Sequence, residues 1–303
     1  MDATTGGGRE PVAVIGLGAV GTVLAAELAA AGHPVLACGR QAVHTVAVTE
    51  RDDTRRFPVQ CVTDPASTGQ VPWVVLATKM HQTSAAADWL RATTGPETHV
   101  IVAQNGVDQR ERVAPLVGPA TVVPALVYLN AERTGPGEVR ARRSRGRNLV
   151  LPDDAGGRAV AALCRDTSLR PELAPDFHTA AWRKLLANVA ANPITALTGR
   201  RVEVLTEPAV AELATAVLCE TVAVGRAVGA DLTPEHAAET LRWLQGLTSG
   251  STTSMLQDRQ AGRPLEYDGL TGIVVRLGDE HGVPVNADRA LLALLSALPR
   301  AGS

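Results

Sequence analysis

The sequence predicts an α/β fold: a Rossmann-type dinucleotide-binding domain at the N-terminus, followed by an all-α C-terminal domain. Three observations carry this expectation. A GxGxxG glycine motif stands directly between an apolar strand candidate and a helix. Through the first half, short β-branched runs alternate with Ala-rich helical stretches, the rhythm of a parallel sheet with crossover helices. Beyond about Ala174 the strand signals stop and only helical ones continue.

Residues 1–10, MDATTGGGRE, hold no apolar segment, so a short disordered leader is expected rather than a signal peptide. The dinucleotide-binding domain then covers 11–175. VAVIG from Val12, VGTVLAAELAAAG and HPVLACG make a strand–helix–strand unit. WVVLATK and HVIVAQNG follow as further strands, each ending in polar residues. Around TVVPALVYLNAERTGPGEVRARRSRGRNLVLP the pattern turns hairpin-like about a Gly-Pro-Gly. Arg142, Arg143, Arg145 and Arg147 there are read as solvated hairpin or turn residues. The all-helical domain, 176–303, carries helices at about 177–197, 207–229, 234–247, 251–261, 266–281 and 286–297.

Bulk properties exclude several classes of function. With 45% hydrophobic and only 3% aromatic residues, the core must be built from Ala, Val and Leu. A net charge of −2 gives no electrostatic footprint for nucleic acid or an anionic membrane. Cys38, Cys61, Cys164 and Cys219 are scattered, with no CxxC pair, as expected of reduced thiols in a cytoplasmic protein. His33, His44, His99, His178, His236 and His281 have no ligand spacing, so no metal is expected. The apolar stretch from Ala209 is broken by Glu212, Glu220 and Arg226, which suits a buried helix better than a membrane span.

Gly16-Leu17-Gly18-Ala19-Val20-Gly21 is the first motif with chemistry in it. Gly16 permits the tight turn, Gly18 lets a pyrophosphate approach the backbone, and Gly21 lets helix pack closely on strand. The second strand ends at Cys38, then Gly39-Arg40, where an NAD-binding protein usually carries a carboxylate for the ribose hydroxyls. Arg40 can instead bind a 2′-phosphate through charge-assisted hydrogen bonds, which predicts NADP over NAD. Lys79 and Asn105 both fall just past the C-terminal ends of strands, the edge where ligands bind in open α/β sheets. His81 and Gln82 are taken as loop residues.

The second motif is KLLANVAANP, an apolar helix carrying Lys184, Asn188 and Asn192 along one stripe. Asparagine is a poor helix former, and Pro193 is expected to end or bend the helix at Asn192. When a hydride reduces a ketone, the carbonyl oxygen becomes anionic and needs a proton. A lysine in a partly dry cleft can supply it, and two amides can hold a hydroxyl or carboxylate in one pose. On spacing alone, the pattern reads as a plain polar stripe on a surface helix.

These residues resemble the ketopantoate reductase family, the 2-dehydropantoate 2-reductases, over nearly the whole chain. The resemblance lies in Lys184, Asn188, Asn192-Pro193 and Thr195-Ala196, and in a later Ser254-Met255-Leu256-Gln257-Asp258 followed by Glu266. It implies an NADPH-dependent reduction of a 2-keto acid, 2-dehydropantoate first among candidates, to a 2-hydroxy acid. Lys184 would be the general acid, with Glu266 hydrogen-bonding the substrate hydroxyl and keeping Lys184 charged and aligned. Asn188, Asn192 and Ser254 would position substrate, and Asn105 and Lys79 would lie by the cofactor. From the residues alone, Glu266 reads as a helix-start carboxylate, and Ser254 could be ordinary helix-terminal chemistry. Two departures blur the substrate: Met80-His81-Gln82 follow Lys79, and Gln104 precedes Asn105. The expected partner is a small keto acid, bound by a monomer or homodimer. Alternatives from the same motifs are a reductase of another ketone or imine in specialised metabolism, a β-hydroxyacid dehydrogenase, and a non-catalytic NADPH-binding sensor.

Overall fold

The computed structural model describes residues 9–142, 146, 148–248 and 250–299. Most of the expected leader, and Arg143, Arg145 and Arg147, lie outside these. Arg9 and Glu10, at the end of that leader, are tied down: Arg9 pairs with Asp166, and Glu10 accepts from the Trp73 indole N–H at 2.6 Å. The chain divides into two compact units, Met1–Phe177 and His178–Ser303.

The first unit runs β1 (Val12–Ile15), α1 (Ala19–Ala30), β2 (Val35–Cys38), β3 (Thr45–Glu50), β4 (Asp53–Pro58), β5 (Gln60–Val62), β6 (Trp73–Leu76), α2 (Ala87–Thr93) and β7 (His99–Val102). It continues with α3 (Gln109–Val117), β8 (Thr121–Pro124), β9 (Leu126–Val127), β10 (Asn130–Gly135), β11 (Glu138–Arg142), β12 (Leu149–Pro152), α4 (Ala155–Leu163) and β13 (Pro171–Ala174). Six strands pair in parallel in the order β5-β2-β1-β6-β7-β8. The chain leaves β1 towards β2 and later returns to β6 on the other side. The C-terminal end of β1 is therefore the topological switch point, where such sheets bind ligands.

Both faces of this sheet are covered, so its strands read as continuous apolar runs rather than alternating ones. Val12, Val14, Val75 and Ile101 point into a cluster with Val23, Leu24 and Leu28 of α1 and Val160 of α4. The alternate residues Ala13, Ile15, Val74, Leu76, Val100 and Val102 pack with Leu90 of α2 and Val113 of α3.

A second sheet, β10-β11-β3-β4, contains the hairpin that the Gly-Pro-Gly turn predicts, and a third runs β13-β12-β9. The β3–β4 hairpin gives little sequence signal, because TERDDTRR reads as a charged loop. Val46 and Val48 nonetheless alternate inward, and Arg55 on β4 reaches Glu27 of α1 at 2.9 Å.

The second unit is helical: α5 (Phe177–Thr198, which starts at the boundary), α6 (Pro208–Ala227), α7 (Pro234–Gln245), α8 (Ser254–Gln260), α9 (Tyr267–His281) and α10 (Asn286–Ser296). Of the two effects expected of Pro193, ending the helix is not seen: α5 runs through it to Thr198, with Asn192, Pro193, Ile194, Thr195 and Ala196 all buried. Proline removes one helical N–H, but tertiary burial of the last turns outweighs that loss. Helix α6 is long and apolar enough to cross a bilayer, but Val217, Leu218 and Val222 are buried in the fold. It approaches α5 closely at Gly225, where a Cβ would stand 2.9 Å from the Trp182 ring. Glu220 on α6 accepts the N–H groups of Ala287 and Asp288, both at 3.0 Å, and so caps α10 from outside.

Candidate functional site

In the first unit, the glycine motif forms a tight turn between β1 and α1. Gly16 has φ +95°, and a Cβ there would meet Thr78 at 2.8 Å. A Cβ on Gly21 would lie 2.0 Å from the Gly16 carbonyl oxygen, so α1 abuts the turn directly. Around Gly18 the space is open. Gly18 is also the N-cap of α1, without a side-chain cap and without an acidic residue in the first turn. The first N–H groups of α1 are thus left for an external anion, and the residues present fit a dinucleotide pyrophosphate.

The Gly16 N–H donates to the Cys38 carbonyl at 3.1 Å, which sets the end of β2 beside the turn. Arg40, two residues on, is exposed. Lys79 and Asn105, both half-buried, begin the loops after β6 and β7. Buried Gln104 joins these loops: its Nε2 donates to the Thr78 carbonyl at 3.1 Å and to Thr83 Oγ1 at 3.0 Å. Arg112 from α3 then donates to Gln104 Oε1 and to the Asn105 carbonyl, both at 3.2 Å, and pairs with Asp108. Gln109, also buried, donates to the carbonyls of Gln104 and, at 3.0 Å, Ala125. Gln104, Gln109 and Arg112 are not among the residues to which the sequence motifs point. The available signal was the polar run QNGVDQRER directly after an apolar strand.

In the helical unit, Lys184, Asn188 and Asn192 stand on α5, Ser254 opens α8 and Glu266 immediately precedes α9. Lys184 and Asn188 are half-buried on α5, and Asn192 is buried. Asn192 Nδ2 donates to Asn188 Oδ1 at 3.4 Å, while its own Oδ1 accepts the Met255 N–H of α8 at 3.4 Å. Thr195 Oγ1 and Thr253 Oγ1 share a hydrogen bond of 2.6 Å, and Arg259 donates to the carbonyls of Ala196 and Leu197 at the end of α5. Asn192 and Thr195 therefore stitch α5 to α8. Thr253, not Ser254, caps α8 by accepting the Leu256 N–H at 3.2 Å, and Ser254 is exposed.

Glu266 precedes α9 and is buried, which is not the environment of a surface helix-start carboxylate. The turn leading to it is held by Asp258, a buried carboxylate that accepts from Arg263 Nε at 2.9 Å. Burial lowers the Lys184 pKa from 10.5 to about 8, and the negative charge of Glu266 opposes that fall. An ammonium poised near neutrality, with a carboxylate acting on it, has the properties of a proton donor. Among the described residues no group of three or more His, Cys, Asp or Glu is placed to hold a metal ion.

Comparison with known proteins adds three kinds of likeness. The family described as "Ketopantoate reductase PanE/ApbA" matches residues 12–152, and its C-terminal counterpart matches 176–299. A 2-dehydropantoate 2-reductase of Caulobacter vibrioides is 37% identical over 290 residues, covering 94% of this chain and 98% of that protein. One of Mycobacterium tuberculosis is 38% identical over 289 residues, covering 94% and 97%. Among solved structures, a dimeric ketopantoate reductase from Staphylococcus aureus superposes with a TM-score of 0.84 at 27% identity, over 95% of this chain and 98% of that one. A family member from Ralstonia eutropha gives 0.85 at 30% identity, over 94% and 97%.

Proposed function

The chain belongs to the ketopantoate reductase family and reduces 2-dehydropantoate to pantoate with a nicotinamide cofactor; we propose that the cofactor is NADPH and that Lys184 is the general acid. When bound, the reduced nicotinamide supplies the hydride. Gly16, Gly18 and Gly21 hold the pyrophosphate against the start of α1, and Arg40 takes the 2′-phosphate. Lys79 and Asn105 bind the cofactor towards its reactive end, from loops that Gln104 and Arg112 keep in place. The first domain, 11–175, thus serves the cofactor and the second, 176–303, the substrate. The enzyme works in the cytoplasm as a monomer or homodimer.

Lys184 donates its proton to the ketone oxygen as charge develops there. Desolvation makes the ammonium acidic enough to release the proton, and Glu266 keeps it protonated until then. Glu266 also accepts from the substrate hydroxyl. Asn188 and Ser254, the less buried polar groups of the set, contact substrate, and Asn192 orients Asn188 by donating to its amide oxygen. The observation that carries this reading is the lowered pKa of Lys184 with the buried Glu266 carboxylate acting on it.

The test is NADPH oxidation with ketopantoate, run beside a panel of other 2-keto acids, ketones and imines, and repeated with NADH. The expected result is turnover highest with ketopantoate and kcat/KM greater for NADPH. Equal kcat/KM for the two cofactors would overturn the NADPH assignment. Turnover confined to another carbonyl compound or an imine would move the chain to a different substrate.

A further inference from the structure

Resting on the NADPH reading above, we propose that Arg133 is a second cation for the 2′-phosphate, forming with Arg40 a two-arginine clamp. Arg133 stands on β10, in the hairpin sheet and not in the dinucleotide-binding sheet. Its Nη2 donates to Gln41 Oε1 at 2.9 Å, and its Nε donates to the Gly135 carbonyl at 3.2 Å. Two bonds from one rigid guanidinium fix its plane beside the residue that follows Arg40. Arg40 and Gln41 have Cα atoms about 3.8 Å apart, so the side chain of Arg40 and a guanidinium bonded to Gln41 start from neighbouring positions, within reach of one phosphate.

The surroundings hold this arrangement in place. Val43 is buried, and a Cβ on Gly137 would come within 2.6 Å of its Cγ1 and 2.8 Å of the Thr45 carbonyl oxygen. The Ala47 N–H donates to the Gly137 carbonyl at 2.8 Å. The hairpin turn and the segment after Arg40 are therefore packed together, and Arg133 reaches that segment from a fixed base. The bonds described for Arg133 go to neutral oxygens, and among the described residues neither Glu132 nor Glu138 of the same hairpin forms an ion pair with it. Its charge remains available to an anion, and NADPH differs from NADH only by the anionic 2′-phosphate.

The experiment measures Kd for NADPH and NADH by fluorescence titration of the wild type, Arg40→Ala, Arg133→Ala and Arg133→Lys. Arg133→Ala is expected to weaken NADPH binding about 10-fold, the loss of one charge-assisted contact at a solvated site. NADH binding should stay within about twofold, because the lost contact touches only the 2′-phosphate, and it also reports that the variant is folded. Arg133→Lys should recover part of the loss. If Arg133→Ala weakens both cofactors alike, or neither, while Arg40→Ala lowers the NADPH preference, the clamp is wrong and the NADPH reading stands. A wild type without preference for NADPH overturns the reading and the clamp together.

Discussion

The buried carboxylate of Glu266, at the start of α9, acts on the Lys184 ammonium of α5 and holds its pKa above the value that burial alone would set. Removing the negative charge with Glu266→Gln should therefore lower the Lys184 pKa further. For ketone reduction the donor must be protonated, so kcat/KM should fall as pH rises through about 8 in the wild type. In the variant the fall should begin at lower pH. A pH–rate profile with an unmoved alkaline limb would remove Glu266 from this role.

Lys184→Ala deletes the proton donor itself. Turnover should drop by ~10²–10⁴, the usual worth of a general acid. Cofactor Kd, measured by titration, should be nearly unchanged, since Lys184 is assigned to the ketone. A variant with near-wild-type kcat would exclude Lys184 as the acid.

The glycine motif allows a paired comparison. At Gly21 a Cβ would collide with the Gly16 carbonyl at 2.0 Å, whereas at Gly18 it would enter open space. Gly21→Ala should destabilise the first unit by about 1–3 kcal/mol, as overpacking does. Gly18→Ala should melt like the wild type yet bind NADPH more weakly, because the methyl occupies the pyrophosphate's approach. Thermal melts and cofactor titrations of the two variants separate these outcomes.

Asp288 offers a test of pH-dependent stability. It is fully buried at the start of α10, and burial, with the neighbouring Glu220 carboxylate, raises its pKa from 3.8 to about 8. The folded state therefore holds a proton that the unfolded chain has released above pH 3.8. Stability on this account is greatest at acid pH and declines as pH rises from about 4 to about 8. The facing groups are Glu220 and Thr221 on α6, while Asp279 on α9 is bonded to Arg289 at the surface. Asp288→Asn should raise Tm at pH 8 by several degrees and change it little at pH 5. Equal shifts at both pH values would disprove the linkage.

Much of this was legible in the sequence, because the signals were local. VAVI followed by GLGAVG specifies strand, turn and helix within one short stretch, and the helices after Ala174 follow apolar periodicity. The spacing of Lys184, Asn188 and Asn192 showed a shared stripe. It could not show that Asn192 spends its amide on Asn188 and Met255, because α8 comes from a distant part of the chain. The same holds for Arg112, whose bonds to Gln104 and Asn105 depend on how α3 returns over the sheet edge. The β3–β4 hairpin was hidden because only one of its faces is apolar and its tip is densely charged. Pro193 does not end α5, because burial of the helix around it outweighs the local rule for proline.

Position 254 has a practical use that follows from its neighbour. Thr253 caps α8 and bonds Thr195, and Asn192 accepts the Met255 N–H, so among the described residues the start of α8 is held without the hydroxyl of Ser254. A saturation library at 254 should thus yield mostly folded proteins, and screening it against bulkier keto acids would be a direct route to altered substrate scope. The equivalent library at 253 would mostly collect unstable variants.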